Sequence, residues 1–399
     1  MLSRQWGTKE HRDWLIEDAG QQFAFYRGSL NPDGGFDYLD DDGRPLPDQV
    51  HELHATGRMV HSFALGHAAG LVGDTVMIDH GLDALWNRHR DAEHGGYVWS
   101  FGADGQVADG SKLAYGHAFV LLAAAGAKVL GHPDADRLLD DITEVIDRRY
   151  WDAPTGRMRE EYARDWSEIS DYRGMNANMH STEAFLAAFE ATGERLFLDR
   201  ALGLIRFFVG EMGAANGWRL PEHFDLNWQP DPDYEGNPMF RPAGTTPGHA
   251  FEWARLAVQA WDLDGRRDGD LLDWAKSLYH QARADGWKPD DGGSVVYTVD
   301  QQGRVLRDNR YWWPVTEAIG TAAVLIKTGE DLAGDYKGYW DSACAHFVDE
   351  DRGGWYPDQH RDGVQFSGKP DIYHSIQAVL FPLVPEISGL TRALEKVRG

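Results

Sequence analysis

Cysteine is nearly missing from this sequence: Cys344 stands alone among 399 residues. No disulfide can form within the chain, and a reducing compartment suits it. Basic residues are also short, with 39 Lys and Arg against 64 Asp and Glu and a formal charge of −25. That field repels nucleic acid and anionic lipid, so neither is an expected partner. No stretch approaches the roughly 20 apolar residues of a spanning helix. The opening MLSRQWGTKEHRDWL has no apolar run followed by a small-residue cleavage site. The expected location is the cytoplasm. Phosphate loops, Ser-His-Asp arrangements and zinc-type Cys/His spacings are missing too. The Asp-Gly-Gly segments are turn chemistry, because a dinucleotide fingerprint needs a strand before it.

Aromatic residues are plentiful: 16 Trp, 15 Tyr and 17 Phe. They serve equally as filler for a large helical core and as stacking faces for sugar rings. Hydrophobic content of 42% supports a sizeable core. No Ser/Gly linker or compositional break divides the chain, which predicts one domain over 1–399.

Glycine marks reveal a repeat. They stand at Gly34-Gly35, Gly95-Gly96, Gly156, Gly217, Gly292-Gly293 and Gly353-Gly354, spaced by 61, 61, 61, 75 and 61 residues. Internal repeats of this kind decide the architecture before any local reading does. Between marks, 113–130 and 179–192 are apolar over a wide face, as inward helices are. Segments 135–150 and 195–208 carry apolar residues at i, i+3 and i+4 with charged opposite faces, as outer helices do. Stretches 97–107 and 295–305 alternate around Asp-Gly or Gln-Gly turns and predict short hairpins. Six such units closing on themselves make an all-α protein, an (α/α)6 barrel with short β-hairpins in its loops. The rival open superhelix needs polar capping repeats, and none is evident. The longest irregular piece, 221–247, is expected to cover one mouth of the barrel.

The repeat also gives unusual residues a coordinate. Tyr115, Asn176, Trp312 and His374 fall 20 or 21 residues after their marks, Arg58 falls 24 after, and His249 falls 32 after in the over-long repeat. All therefore belong to the starts of successive inner helices and should converge on one mouth. Helix N-termini aimed there favour developing negative charge. Arg58 interrupts an apolar helix, and a buried guanidinium needs sugar oxygens or a carboxylate as partners. Trp312-Trp313 offers a stacking platform, with Glu317 at helix spacing. His180 with Glu183 and His249 with Glu252 form two His-x-x-Glu pairs. Di-iron bundles reverse that order and add two further carboxylates, so no metal is expected. His51, His54 and His61 read as solvated or structural.

These residues carry a resemblance. Arg58-Met-Val, Asn176-x-Asn-Met-His180-x-x-Glu, Pro-Gly-His249-x-x-Glu252-Trp, Trp312-Trp313-Pro-x-x-Glu317 and Lys369-Pro-Asp-x-Tyr-His374 resemble the N-acylglucosamine 2-epimerase superfamily, in its aldose–ketose isomerase branch. The resemblance implies the (α/α)6 barrel, no cofactor and no required metal. It also implies a monosaccharide as the partner, with His249 and His374 as acid–base catalysts. Arg58, Asn176, His180, Glu252 and Trp313 match sugar-contact positions, and Arg241 in the long loop matches an arginine placed over the sugar. The expected mechanism has His374 carrying the C2 proton to C1 and His249 moving hydroxyl protons. Arg58 would stabilise the enediolate, and Glu252 would orient His249, one turn away. Two histidines also permit 2-epimerisation, and the sequence leaves that outcome open, along with a sulfonated or acylated sugar. Glu183, Glu252 and Glu317 could serve a glycoside hydrolase of this fold, and a non-catalytic sugar binder is the last alternative. Monomer and homo-oligomer are both open.

Overall fold

The computed structural model describes residues 4–359 and 366–396. Helices come in pairs, the first outside and the second inside. The pairs are α1 (Lys9–Tyr26) with α2 (Leu53–Ala68), α3 (Val76–Ala84) with α4 (Ala114–Val129), and α5 (Ala135–Val145) with α6 (Met175–Thr192). The second half continues with α7 (Arg195–Ile205) and α8 (Pro247–Leu263), α9 (Gly269–Gly286) and α10 (Trp312–Lys327), and α11 (Ala333–His346) and α12 (Tyr373–Leu380). A short α13 (Leu390–Glu395) follows. Each inner helix packs on the next, and α12 returns to α2, so the ring is closed. The six pairs make the (α/α)6 barrel. Among the described residues no helix is long and apolar enough to cross a membrane.

The two helix layers differ as their sequences dictate. In α4, thirteen of sixteen side chains are buried, from Ala114 to Ala127. In α5 only Ala135, Leu138, Leu139 and Ile142 are buried, the single stripe an outer helix presents. Each such leucine or isoleucine contributes about 1.5–3 kcal/mol on burial. The glycine marks all turn through left-handed backbone, with φ from +62° to +105°. Larger residues are strained there, which is why the repeat is written in glycine.

One device fixes where the inner helices start. None of the six is capped by the side chain of the residue just before it. Instead, in four of them the first N–H is taken by a carbonyl from the loop of the following repeat; α8 begins at Pro247, which has no N–H, and in α12 the Tyr373 N–H donates to the Asp371 carboxylate at 2.9 Å. Leu53 donates to Trp99 at 2.8 Å, Ala114 to Glu160 at 2.8 Å, Met175 to Glu222 at 2.9 Å and Trp312 to Pro357 at 3.1 Å. The Trp99 carbonyl adjoins one expected hairpin, Ser100–Phe101 with Val107–Asp109, and the other, Thr298–Val299 with Val305–Arg307, pairs through Val299 with Thr245 just before α8. Helix starts are thereby held level at one rim. Orphan helix donors find loop acceptors, and the rim gains rigidity.

Candidate active site

The rim opens into a cavity of about 540 Å³. Of the residues singled out by sequence, Arg58, Tyr115, Asn176, His180, His249, Glu252, Trp312, Trp313 and His374 all line it. They come from all six inner helices, with Tyr115, Asn176, His249, Trp312 and His374 in the first turns.

Two imidazoles lie beside one indole. The Trp313 ring lies 5.0 Å from His249 and 5.9 Å from His374, tilted by 32° and 37°. Gly248 makes this possible, because a Cβ there would meet the Trp313 ring at 2.4 Å. Each histidine is tied at Nδ1 to a buried carboxylate. His374 donates to Glu317 at 3.0 Å, and His249 donates to Glu222 at 3.0 Å. A carboxylate can only accept, so Nδ1 carries the proton and Nε2 is left as the basic nitrogen. Burial lowers the His374 pKa, and the Glu317 bond partly opposes that. At neutral pH this imidazole is neutral, with Nδ1–H donating to Glu317 and Nε2 as its basic nitrogen.

The orienting partner of His249 differs from the expected Glu252. One helical turn carries Glu252 below His249, where its carboxylate lies 3.6 Å from His180 and 3.5 Å from Arg255. The long loop folds back and presents Glu222 instead, which also accepts from the Thr246 N–H at 3.0 Å. Glu317 likewise sits beneath the cavity wall, bridging His374 and Arg255 at 3.1 Å. Arg255 is thus shared by Glu183, Glu252 and Glu317. Burial and the nearby Glu317 push the Glu252 carboxyl well above the ordinary range.

Arg58 is 7% exposed, with its guanidinium 3.2 Å from Asp371 and donating to the Tyr115 hydroxyl at 2.8 Å. It lies over the Phe119 and Tyr373 rings at 4.6 and 4.7 Å. Its Nε, the Asn176 Oδ1 and the Glu252 Oε2 are buried without a hydrogen-bond partner, and the His180 Nδ1 has only the Glu183 and Glu252 carboxylates, at 3.7 and 3.6 Å. His180 is held to about 4 by burial and is neutral.

Arg241 does not line the cavity. Its guanidinium pairs with Glu161 at 2.6 Å and Glu160 at 3.5 Å, and stacks on Tyr172 at 4.1 Å. Neighbours Met239 and Phe240 from the same loop do line it, so the loop covers the mouth as expected. His51 and His61 are buried, and His51 bonds Asp37 at 2.7 Å. His54 departs from the sequence reading, being 5% exposed and part of the cavity wall. Asp371, Glu222 and the Glu52–Tyr38 pair were not singled out. Asp371 lay inside the Lys369-Pro-Asp-x-Tyr-His374 stretch, but Glu222 had no signal, since it sits in irregular chain outside the repeat phase.

One group among the described residues has metal-like spacing: ligand atoms of His180, Glu183 and Glu252 lie within 4.8 Å of one another. Arg255 stands 3.7 Å from Glu183 and 3.5 Å from Glu252, so a guanidinium already supplies the positive charge there.

Comparison with known proteins places the chain in a family. The chain is 43% identical over 397 residues to a D-mannose isomerase of Thermobifida fusca, covering 97% of this chain and 98% of the relative. It is 41% identical to a D-mannose isomerase of Pseudomonas cannabina pv. alisalensis, covering 96% and 95%. A crystal structure of a D-mannose isomerase superposes with a TM-score of 0.86 at 29% identity, covering 93% of this chain and 97% of that one. The model of the N-acylglucosamine 2-epimerase family matches residues 34–378, and the chain belongs to that family.

Proposed function

We propose that this protein is an aldose–ketose isomerase that interconverts D-mannose and D-fructose by moving a proton between C2 and C1. The observation that carries the reading is the pair of carboxylate-held imidazoles flanking Trp313. The names of the relatives supply the sugar.

His249 assists opening of the ring by moving a proton between the hydroxyl and ring oxygens. The open aldose lies with C1 and C2 between the two imidazoles. His374 Nε2 takes the proton from C2, and the electron pair moves through the C1–C2 bond onto the C1 oxygen. Glu317 behind Nδ1 stabilises the imidazolium that forms, as a buried acceptor does in other histidine bases. Arg58 faces the developing enediolate charge, a contact worth roughly 3–4 kcal/mol when preorganised. His249 takes the C2 hydroxyl proton and gives one to the C1 oxygen, and His374 returns its proton to C1. The product is the 2-ketose, and both histidines end as they began. Arg241 in this reading anchors the covering loop through Glu161 and Glu160 rather than touching sugar.

Turnover of mannose in heavy water, followed by NMR, tests the reading. Fructose is expected to precede any other hexose, with deuterium at C1 only as far as the proton on His374 exchanges with solvent. Glucose appearing first would make the protein a 2-epimerase, with His249 protonating C2 from the opposite side.

A further inference from the structure

The mechanism uses His249 on α8, Trp313 on α10, His374 on α12 and, from α2, Arg58. The cavity wall also holds an imidazole with no assigned task. His54 precedes Arg58 by four residues on α2, so the two share a face, with His54 one turn nearer the rim. Its ring is clamped, stacked on Trp99 at 5.1 Å and 8°, with Tyr115 at 5.6 Å and Phe240 edge-on at 6.4 Å. Yet its Nδ1 is buried with no hydrogen-bond partner. Burial, together with the nearby Arg58, keeps it well below its ordinary range and therefore neutral. A neutral imidazole presents one donor and one acceptor, the complement of a hydroxyl group. The Nδ1 is closed off from the cavity, so the ring meets a ligand hydroxyl by its other edge, where His54 lines the cavity and no protein hydrogen bond holds it. Beside it in the wall, the Tyr38 hydroxyl donates to Glu52 at 2.6 Å, fixing a carboxylate that also borders the cavity.

Position around the ring says which part of a sugar meets this wall. With six inner helices in closed order, α10 stands opposite α4, and α2 flanks α4. Carbons held beside Trp313 on α10 leave the rest of an open chain directed across the cavity, towards Tyr115 on α4 and His54 on α2. Arg58 lies between these two ends, 3.2 Å from Asp371 on the side of α12 and bonded to the Tyr115 hydroxyl on α4 at 2.8 Å.

The geometry points to a second recognition subsite, in which His54, with Tyr38-held Glu52, binds the hydroxyls at the non-reacting end of the substrate and so selects its length. This rests on reading the cavity as a sugar site. It adds a residue and a selectivity to that reading.

Calorimetric binding of two non-reacting alditols tests it without turnover: D-mannitol has six carbons, and D-arabinitol is one hydroxymethyl shorter. The wild type is expected to prefer mannitol. His54→Phe, which keeps the stack on Trp99, should weaken mannitol about tenfold, the worth of one or two neutral hydrogen bonds, and arabinitol less than about twofold. Tyr38→Phe, which releases Glu52 and lies outside the aromatic stack, should show the same selectivity at smaller size. Equal weakening of both alditols, no weakening of either, or a wild type that does not discriminate would each overturn the subsite. Failure of the wild type to isomerise mannose would sink the proposed function and leave these ratios readable.

Discussion

Burying an imidazole penalises its charged form, and a carboxylate behind Nδ1 returns part of that cost. His374 experiences both, with burial the larger and Glu317 opposing it. Its working form is the neutral base, so kcat/KM should rise with pH through a midpoint below 6.5. Replacing Glu317 by Gln keeps an acceptor for Nδ1–H but removes the charge. The His374 pKa then falls further, and the acid limb of the pH profile should move to lower pH while kcat drops about 10²-fold. A limb that stays put, or moves up, would show that Glu317 is merely structural. These residue-scale features were only half legible. His249 and His374 announced themselves by repeat phase, because a helix start is a fixed distance from its glycine mark. Glu222 could not, because its approach to His249 is set by the fold of an irregular loop. Glu252, one turn from His249 in sequence, proved to face His180 and Arg255.

At the scale of elements, the site depends on how closely α8 and α10 approach. Gly248 lets the Trp313 ring sit beside His249, and a methyl group there would lie 2.4 Å from it. Gly248→Ala should therefore displace Trp313 or tilt α8, destabilising the protein by about 1–3 kcal/mol as overpacking does. A larger fractional loss of kcat/KM than of melting temperature is expected, read from kinetics and thermal unfolding together. Unaltered kinetics would mean that the indole does not set the spacing of the two imidazoles. The helices themselves were plain in sequence: 113–130 contains α4, and 135–150 contains α5 with the wide turn that ends it at Tyr150. The inner helix starts were legible only through the glycines, for the bonds that level them run to loop carbonyls such as Trp99 and Pro357, which carry no sequence signature.

The whole molecule buries many ionisable groups, and they set its acid stability. His61, His89 and His180 are lowered by burial to about 4, and His117 to about 3. Their folded values lie below the unfolded value of about 6.5. As pH falls from 6.5 towards 4 the unfolded chain gains protons that the folded chain refuses, so these histidines remove stability across that window. Asp18, raised to about 6, and Glu160 and Glu190, raised to about 7, act oppositely, since they hold protons when folded. The histidines are the more numerous set, and the melting temperature should fall between pH 7 and pH 5. A rise over that interval would show the buried carboxyls to dominate.

The proposed chemistry requires six helices far apart in sequence to deliver a single pocket in which two imidazoles reach the same pair of sugar carbons. A crystal structure with bound D-mannitol measures this directly. The account predicts one terminal C1–C2 segment beside Trp313, with Nε2 of His374 and of His249 each within about 3.5 Å of its carbons or oxygens. An alditol bound in the cavity that touches only one of the two imidazoles would contradict it.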